Sequence, residues 1–501
     1  MTTPKDANPD TNAQPAPAEP THTFALPVDE NNKATSIKLW SVKRPHMRAF
    51  HFAWSSFFLA FFGWFALAPL QKGIRDSPRT PWLNGDNFKA QNIISVAGTL
   101  LMRLAVGPFC DRFGPRLAQS ILLGVFSLPV FLVGTSQSYA QWTTARFFIG
   151  FIGATFVVTQ FWTSLMFSGN IVGTANATSA GWGNLGGGVT NALMPQIFKG
   201  IRRSIGFEPS GLVDSDGKEV KSDSQLDAEN KAWRYSQIIP GGALIIIALS
   251  LFFLSDDLPE GNYADLHKAG TKEKTNPFVA MGRAARNWRV WILFLLYAGC
   301  FGVELLMNQN LATYFQEQFD VEAGLAGLLA GLFGLMNLFA RSLGGIFSDV
   351  MAKKFGLRGR LWAFFSVQLI EGLLFVGFSR LRGNVGVAVP VLVLFSLFVQ
   401  MAEGATFGIV PFVDPPATGA VSGIVGAGGN FGAVTGGFLI EKGAEGTARG
   451  FMILGFIVIG TAMLIPLLWW PQYGSMFLKP SVETKVIDDD SAEAEVEQTK
   501  A

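Results

Sequence analysis

The sequence has little of the charge that a soluble protein needs on its surface. Only 15% of its 501 residues are charged, against about 25% in an ordinary soluble domain. Apolar residues make up 49% of the chain, and its 56 glycines and 45 phenylalanines suit packed membrane helices better than a soluble enzyme. This shortage of charge excludes a soluble fold and predicts an all-α membrane protein.

The sequence also lacks the patterns of a metal centre or a nucleic-acid surface. The only two cysteines, Cys110 and Cys300, lie in apolar runs, and the four histidines show no metal-binding spacing. The formal net charge is only +2, and the basic residues are scattered. We therefore expect no metal, no cofactor and no nucleic-acid partner. No nucleophile, base and orienting group occur together at motif spacing, so we expect no enzyme.

Apolar stretches of about twenty residues, the length that crosses a bilayer core of ~30 Å, recur along the chain. We count twelve, and a polar stretch separates the first six from the last six. The prediction is therefore twelve transmembrane helices in two halves. The predicted segments are a polar tail at 1–46, an N-terminal six-helix bundle at 47–254, a central loop at 255–289, a C-terminal six-helix bundle at 290–472 and an acidic tail at 473–501.

Basic residues predict the side of the membrane on which the termini lie. An even number of spans places both termini on one side, and loops rich in lysine and arginine are usually cytosolic. The basic residues on that side include Lys43, Arg44, Arg112, Arg116, Lys353 and Lys354. We therefore predict cytosolic termini. A second polar insert at residues 199–233 mixes both charge signs and is expected to be a solvated loop.

Two motifs recur in both halves of the chain. The first has arginine, glycine and aspartate at identical offsets, 238 residues apart, namely Arg103, Gly107 and Asp111 against Arg341, Gly345 and Asp349. The second is a glycine-asparagine motif repeated 246 residues later, at 183–186 and 429–432. Parallel six-helix repeats place a substrate site near the membrane midplane, between halves that rock against each other.

Arg103 and Arg341 are the most informative residues of the sequence. Each lies about eight residues, or roughly 12 Å of helix rise, before the end of its predicted helix, which is too deep to reach water easily. A charge at the bilayer centre costs about 2.5–3.5 kcal/mol on insertion scales, and such residues usually face the bundle interior. No acid in either helix is spaced to neutralise them. We therefore predict that both arginines bind one small planar oxyanion. The alternative is that each pairs with a carboxylate of another helix, such as Glu304.

These segments resemble those of a known family. The stretch Gly107-x-x-x-Asp111-Arg112-x-Gly114 resembles the loop signature of the major facilitator superfamily. The glycine- and asparagine-rich stretches at 180–195 and 422–437 resemble the two nitrate signatures of the nitrate/nitrite porter family, in its eukaryotic high-affinity nitrate transporter branch. The likeness covers about residues 35–475. It implies the major facilitator fold, with two pseudo-symmetric six-helix halves.

The resemblance implies that Arg103 and Arg341 bind nitrate. It also points to Phe156, Tyr297 and Phe301 as the walls around the flat ion. Tyr297 and Phe301 are four residues apart and share one helix face, which is compatible with this role. The alternative is that these aromatic side chains face lipid or only fill the core.

The resemblance also assigns loop residues of both halves to gating, because in such proteins the loop aspartate and arginines latch neighbouring helix ends. The gating residues in this sequence are Asp111, Arg112 and Asp349. The alternative is a solvated basic turn that only follows the distribution of charge across the membrane.

The two glycine-rich helices are expected to serve both packing and binding. Asn184 and Asn430 are polar side chains on helix faces of small residues, so each needs a partner, and we expect both to offer amide donors near the anion. Close packing and sliding of the helices are assigned to the glycines Gly183, Gly187, Gly428 and Gly429.

Energetics predicts a coupled ion. Moving nitrate towards a negative interior costs about 2.3 kcal/mol per 100 mV, and two co-transported protons would make entry favourable. The intramembrane acids are Glu304, Glu371 and Glu403. Glu304 is the hypothesised coupling site because it shares a helix face with Tyr297. The alternative is that Glu304 forms a permanent salt bridge with an arginine.

The sequence thus predicts a proton-coupled nitrate transporter of the plasma membrane that works by alternating access. Its expected partners are nitrate, with nitrite as a second candidate substrate, protons, membrane lipid and an accessory membrane subunit. Two alternatives remain open. One is a nitrate/nitrite exchanger, and the other is a nitrate sensor that retains the transporter fold.

Overall fold

The computed structural model describes residues 24–70, 74–75, 77–83, 85–206, 221–268, 276–321, 323–441 and 443–481. The helices before residue 255 are α1 (His46–Phe65), α2 (Gly85–Phe113), α3 (Pro115–Leu132), α4 (Tyr139–Gly150), α5 (Thr155–Met166), α6 (Val172–Ser204), α7 (Asp223–Ser236) and α8 (Ile238–Leu254). The later helices are α9 (Tyr263–Lys268), α10 (Pro277–Arg286), α11 (Trp288–Phe319), α12 (Ala323–Leu335), α13 (Ala340–Arg380), α14 (Val385–Ile409), α15 (Thr418–Gly437) and α16 (Gly443–Ala462). A short antiparallel sheet of β1 (Trp469–Trp470) and β2 (Gly474–Ser475) follows.

Nine stretches of the described residues are long and apolar enough to cross a membrane. One of them, Leu325–Arg380, has 56 residues, enough for two spans of about 20 residues each. The helices α6 and α15 have 33 and 20 residues but are rich in glycine, and neither is among the nine. The helical membrane fold is therefore confirmed, and the number of twelve spans stays a prediction that these helices support.

Two glycines in the left-handed backbone region make the sharp turns between consecutive helices. Gly114 has φ +86° between α2 and α3, and Gly356 has φ +61° inside α13, which it divides into two helices. Glycine adopts this conformation without the steric cost that a Cβ would add. At Gly114 an added Cβ would also collide with the carboxylate of Asp257. Both turns therefore depend on glycine.

The polar insert at residues 199–233 differs from the predicted loop because part of it is helical. Helix α6 continues to Ser204, and α7 begins behind a capping box in which Ser222 and Gln225 exchange hydrogen bonds of 2.7 and 3.3 Å. Such a box satisfies two of the free N–H groups at a helix start. Residues 207–220 of the insert lie outside the described residues.

Parts of both predicted tails pack against the helices. Ala34 is buried and bonds with the end of α5, since its N–H donates to the carbonyl of Met166 at 2.9 Å and its carbonyl accepts from Ser168 at 3.0 Å. In the predicted acidic tail, Gly474 and Ser475 form strand β2. The other parts of the two predicted tails, residues 1–23 and 482–501, lie outside the described residues.

The helices that precede residue 255 meet those that follow residue 287 along two main contacts. Helix α2 packs against α15, and α6 packs against α13. The main chains of Gly107 and Gly419 touch in the first contact, and the main chain of Gly173 touches Gly345 in the second. Both contacts are close because small residues allow helix backbones to approach.

Asp257, in the segment after α8, forms hydrogen bonds that connect this segment to the start of α3. Its carboxylate accepts hydrogen bonds from the N–H groups of Arg116 at 2.8 Å and Tyr263 at 3.1 Å. Its side chain is only 3% exposed. Burial raises the pKa of Asp257 to about 6, although the two N–H donors and the nearby Arg116 guanidinium oppose this change.

We expect Asp257 to make stability depend on pH between its usual pKa of 3.8 and about 6. In this window the folded protein keeps the proton that the unfolded chain has lost, so a stabilising contribution present below about pH 4 disappears as the pH rises to about 6. A shift of this size corresponds to about 3 kcal/mol. In detergent, the Tm of wild type should therefore fall relative to the Tm of Asp257→Asn as the pH rises from about 4 to about 6, and thermal unfolding of both proteins measures this difference. A difference that stays constant would contradict the raised pKa.

Candidate anion-binding site

The two arginines that are predicted to bind the anion are both buried inside the bundle. Arg103 on α2 is 0% exposed and Arg341 on α13 is 1% exposed. Breaks in the helices lie beside each of them. A 3-10 segment at Phe151–Ala154 separates α4 from α5, and another at Met336–Leu338 separates α12 from α13, directly before Arg341. Irregular backbone at membrane depth is tolerated where it is buried in protein or lines a cavity.

The structure brings both arginines to the same pair of aromatic rings. The Cζ atom of Arg103 lies 5.0 Å from the ring centroids of Phe156 and Phe301. The Cζ atom of Arg341 lies 5.6 and 5.8 Å from the same two centroids. A cation over an aromatic face is attracted by the ring quadrupole. The rings therefore hold two like charges in one small volume.

The three predicted wall residues form one stack. Phe156 lies 5.7 Å from Tyr297 and 5.9 Å from Phe301, measured between centroids, with interplanar angles of 15° and 10°. Phe407 closes the stack edge-on, 4.9 Å from Phe156. All three predicted wall residues are buried, so they lie in the interior beside the arginines, and the alternative of lipid-facing side chains does not hold.

Arg341 has a carboxylate partner on another helix. Its Nη2 forms an ion pair with Glu403 of α14 and donates to the Tyr297 hydroxyl at 3.0 Å. The alternative of an interhelical ion pair thus holds for Arg341, with Glu403 as the partner and not Glu304. A buried guanidinium needs such compensation because both charges have lost their hydration. Tyr297 accepts this hydrogen bond, and a phenol hydroxyl can also act as a donor.

Arg103 is compensated differently. Its Nε and Nη2 donate to the carbonyl of Gly153 at 3.3 and 3.2 Å, and its Nη1 donates to the carbonyl of Gly426. Within the described part of the chain no carboxylate forms an ion pair with it. Carbonyl dipoles satisfy its hydrogen bonds but leave the net charge in place. Arg103 is therefore a buried cation whose hydrogen-bond partners among the described residues are neutral.

Glu304 is held by amides. Its two carboxylate oxygens accept from Asn337 Nδ2 at 2.6 Å and from Asn184 Nδ2 at 3.4 Å. This arrangement differs from the alternative of a salt bridge to an arginine, because the direct partners that the structure shows are neutral. The predicted donor Asn184 is thereby engaged by Glu304 in this conformation, with only its Oδ1 unpaired among the described residues.

Asn430 is fully buried on α15, and among the described residues neither its Nδ2 nor its Oδ1 has a hydrogen-bond partner. It lies one helical turn beyond Gly426, whose carbonyl accepts from Arg103. An unpaired amide in the interior costs about 1–3 kcal/mol. A ligand that accepts its N–H would remove this cost.

The predicted packing glycines lie against aromatic residues and neighbouring backbone. Gly183 faces the ring of Phe57, and Gly429 faces the ring of Phe301. Gly187 lies beside two further rings of α1, and Gly428 lies against the main chain of α11. A side chain at Gly183 or Gly429 would displace one of these rings. Gly429 therefore leaves the space that the Phe301 ring of the stack occupies.

The two motif aspartates bind helix starts of the opposite half. Asp111 accepts from the N–H groups of Gly419 and Ala420, both at 3.0 Å, at the start of α15. Asp349 accepts from the N–H and hydroxyl of Thr174, both at 2.6 Å, at the start of α6. Carboxylates favour helix N-termini because free N–H groups and the helix dipole converge there. We call this pair of contacts the latch.

Arg112 does not take part in these contacts. Its Cζ lies 5.4 Å from the ring of Phe113, while the arginine that joins the latch is Arg360, whose Nη1 lies 2.6 Å from Asp349 Oδ1. Sequence reasoning missed Arg360 because the pairing depends on how α13 turns back at Gly356.

Sequence reasoning also missed Asn337 and Phe407, although each carries a signal. Phe407 lies four residues after Glu403 on α14, so it shares a helix face with a charged residue of the interior. Asn337 lies four residues before Arg341, but a 3-10 segment separates it from the helix of Arg341, so its signal is only its closeness in sequence to that arginine.

Comparisons with known proteins identify relatives of this chain. The family model described as Major Facilitator Superfamily matches residues 53–437. The chain is 41% identical over 468 residues to high affinity nitrate transporter 2.5 of Arabidopsis thaliana, covering 93% of this chain and 88% of that protein. It is 40% identical to high-affinity nitrate transporter 2.3 of Oryza sativa subsp. japonica, covering 91% and 84%. The solved structure of the human organic anion transporter MFSD10 matches with a TM-score of 0.60 at 13% identity, over 84% of this chain and 100% of that one. This last likeness supports the fold alone.

The latch predicts which conformation is favoured. Replacing Asp111 and Asp349 with asparagine removes both charges from the helix starts, so we expect the halves to separate at this end of the bundle more often. Spin labels on Phe113 and Phe355, which are 42% and 58% exposed, would report the distance between the halves by pulsed electron resonance. The double variant should show a longer and broader distance distribution.

The matched control is Asp265→Asn, an exposed carboxyl outside the latch. It should leave the distribution unchanged. A double variant with the wild-type distribution would show that the aspartates do not hold the halves together.

Proposed function

The chain belongs to the major facilitator superfamily and, within it, to the family of high-affinity nitrate transporters, and from this premise we propose that it carries nitrate across a membrane. Arg103 and Arg341 bind the anion in this proposal, and Phe156, Tyr297 and Phe301 form its walls. Relatives named as nitrate transporters support the substrate, and the arrangement of the buried side chains supports the site.

The observation that carries the proposal is the buried charge of Arg103. It has no ion-pair partner among the described residues, and it shares two aromatic rings with Arg341. Nitrate is a planar monoanion that can accept forked hydrogen bonds from a guanidinium at its edge. It is also thin enough to lie against aromatic faces. The neutral amide of Asn430 can donate to the same ion.

The transport cycle follows from the two repeats. We propose that residues 47–254 and 290–472 move as two halves around the anion, and that the latch at Asp111 and Asp349 closes the cytosolic end. Its release opens the site to the cytosol. Both termini lie on that cytosolic side, and the plasma membrane is the proposed location.

Buried acids beside the anion site favour proton symport over nitrate/nitrite exchange. An exchanger swaps one monoanion for another and needs no titratable group, whereas Glu304 and Glu403 both lie beside Arg341. Inward movement of nitrate costs about 2.3 kcal/mol per 100 mV. Glu304 is proposed as a coupling residue because it can take up a proton next to the anion. Nitrite, which is also a small planar oxyanion, is the proposed second substrate.

Lysine substitutions test the two arginines, because lysine keeps the charge but loses the planar fork. We expect Arg103→Lys and Arg341→Lys each to weaken nitrate uptake into proteoliposomes about ten- to a hundredfold in kcat/KM, which corresponds to the loss of one or two charge-assisted hydrogen bonds. The matched control is Arg146→Lys. Arg146 is a buried arginine held by Gln91 at 2.9 Å and by the carbonyl of Trp64 at 3.3 Å.

This control should keep the wild-type KM for nitrate, because Arg146 lies outside the aromatic stack. Wild-type kinetics in both binding-site variants would contradict the proposed site. A purified wild type that takes up no labelled nitrate would instead favour the sensor alternative.

Proton coupling predicts an electrical signal. Two protons carried with each nitrate give an inward current when nitrate is added at acidic external pH, whereas exchange is electroneutral. We expect Glu304→Gln to abolish nitrate accumulation driven by a pH gradient while nitrate still exchanges down its own gradient. The control is Glu317→Gln, an exposed acid on the same helix α11. Accumulation that persists in Glu304→Gln would remove Glu304 from the mechanism.

A further inference from the structure

Glu403 and the proposed nitrate compete for the same cation. In this structure Glu403 occupies Arg341 Nη2 through a buried ion pair, and Glu403 is itself 0% exposed. An anion that binds Arg341 in a bidentate manner needs this nitrogen. Two negative charges beside one guanidinium repel each other strongly in an interior that water does not reach.

We propose that Glu403 is a proton-binding switch: a proton on its carboxylate releases Arg341, and nitrate then takes the place of the carboxylate. This inference rests on the proposed function and assigns its proton coupling to a competition at one atom. Proton and nitrate then load together, because a protonated Glu403 alone leaves Arg341 without a counterion, and an ionised Glu403 keeps nitrate from Arg341 Nη2.

The charged and titratable groups around Glu403 come from three helices. Arg341 and Glu371 lie on α13, Tyr297, Cys300 and Glu304 lie on α11, and Arg103 lies on α2. The direct partner of the Glu403 carboxylate is Arg341, which stabilises its ionised form through the ion pair. When nitrate enters, its charge adds to that of the acids. The entry of nitrate therefore favours the protonated form of Glu403.

Glu304 is a second acid near Arg341. Its carboxyl oxygens accept from the amides of Asn337 and Asn184, whereas Glu403 forms the ion pair with Arg341. The competition with nitrate for Arg341 Nη2 therefore falls on Glu403.

Glu371 differs from this pair although it is equally buried. Neither of its carboxyl oxygens has a hydrogen-bond partner among the described residues, and it contacts no arginine within the described part of the chain. It therefore serves as the matched control, since it is a buried acid of the same half that does not compete for Arg341.

The test is nitrate binding to the full-length chain in detergent, measured by calorimetry between about pH 5.5 and about pH 8.5. If one proton must bind with nitrate, the wild-type affinity falls about tenfold for each pH unit above the range in which Glu403 is protonated. Glu403→Gln cannot be charged, so its affinity should vary less than about twofold over the same range. Glu371→Gln should retain the wild-type pH dependence.

A second measurement uses the wild type alone, in case a variant does not fold. Calorimetry in buffers of different ionisation enthalpy counts the protons exchanged, and we expect uptake of one proton per nitrate bound. Binding without proton uptake, or a pH dependence that Glu403→Gln retains, would overturn the switch while leaving nitrate binding intact. Wild type that binds no nitrate at any pH would overturn the proposed function and, with it, this inference.

Discussion

Two guanidinium groups lie in the interior of a helix bundle, on the faces of the same two aromatic rings, and the rest of the site depends on how their charges are compensated. Arg341 has Glu403, whereas the partners of Arg103 in the described part of the chain are main-chain carbonyls. Burying a charge without a counterion is costly, and the proposed anion would compensate the charge of Arg103. The rings of Phe156 and Phe301 lie against that charge, and Asn430 lies one helical turn from Gly426, whose carbonyl accepts from Arg103.

The two halves share a scaffold but not a chemistry. Arg103 and Arg341 occupy equivalent places, and Asp111 and Asp349 bind helix starts in equivalent ways. The intramembrane acids, in contrast, all belong to the second half. In the proposed mechanism, one half thus provides a permanent cation for the anion, and the other provides a cation that a proton can release. This proposed asymmetry would couple nitrate to protons, because protons would act on only one of the two arginines.

Much of this arrangement could be predicted from the sequence. A charged side chain in an apolar stretch has few stable environments, so the sequence predicts that Arg103 and Arg341 lie in the interior of the bundle. The spacing of four residues predicts that Tyr297 and Phe301 share one helix face. The pairing of Arg341 with Glu403 could not be predicted, because contacts between helices depend on packing angles and on breaks such as Met336–Leu338. For the same reason the contact between Arg360 and Asp349 could not be predicted, and the gating role of Arg112 stays a prediction.

The most direct test of the account is a structure of the protein with nitrate bound at acidic pH, in which the position of the ion is measured. The account predicts a planar density between the guanidinium groups of Arg103 and Arg341, against the rings of Phe156 and Phe301, with Glu403 withdrawn from Arg341. Nitrate bound elsewhere, or bound here while Glu403 still contacts Arg341, would contradict it.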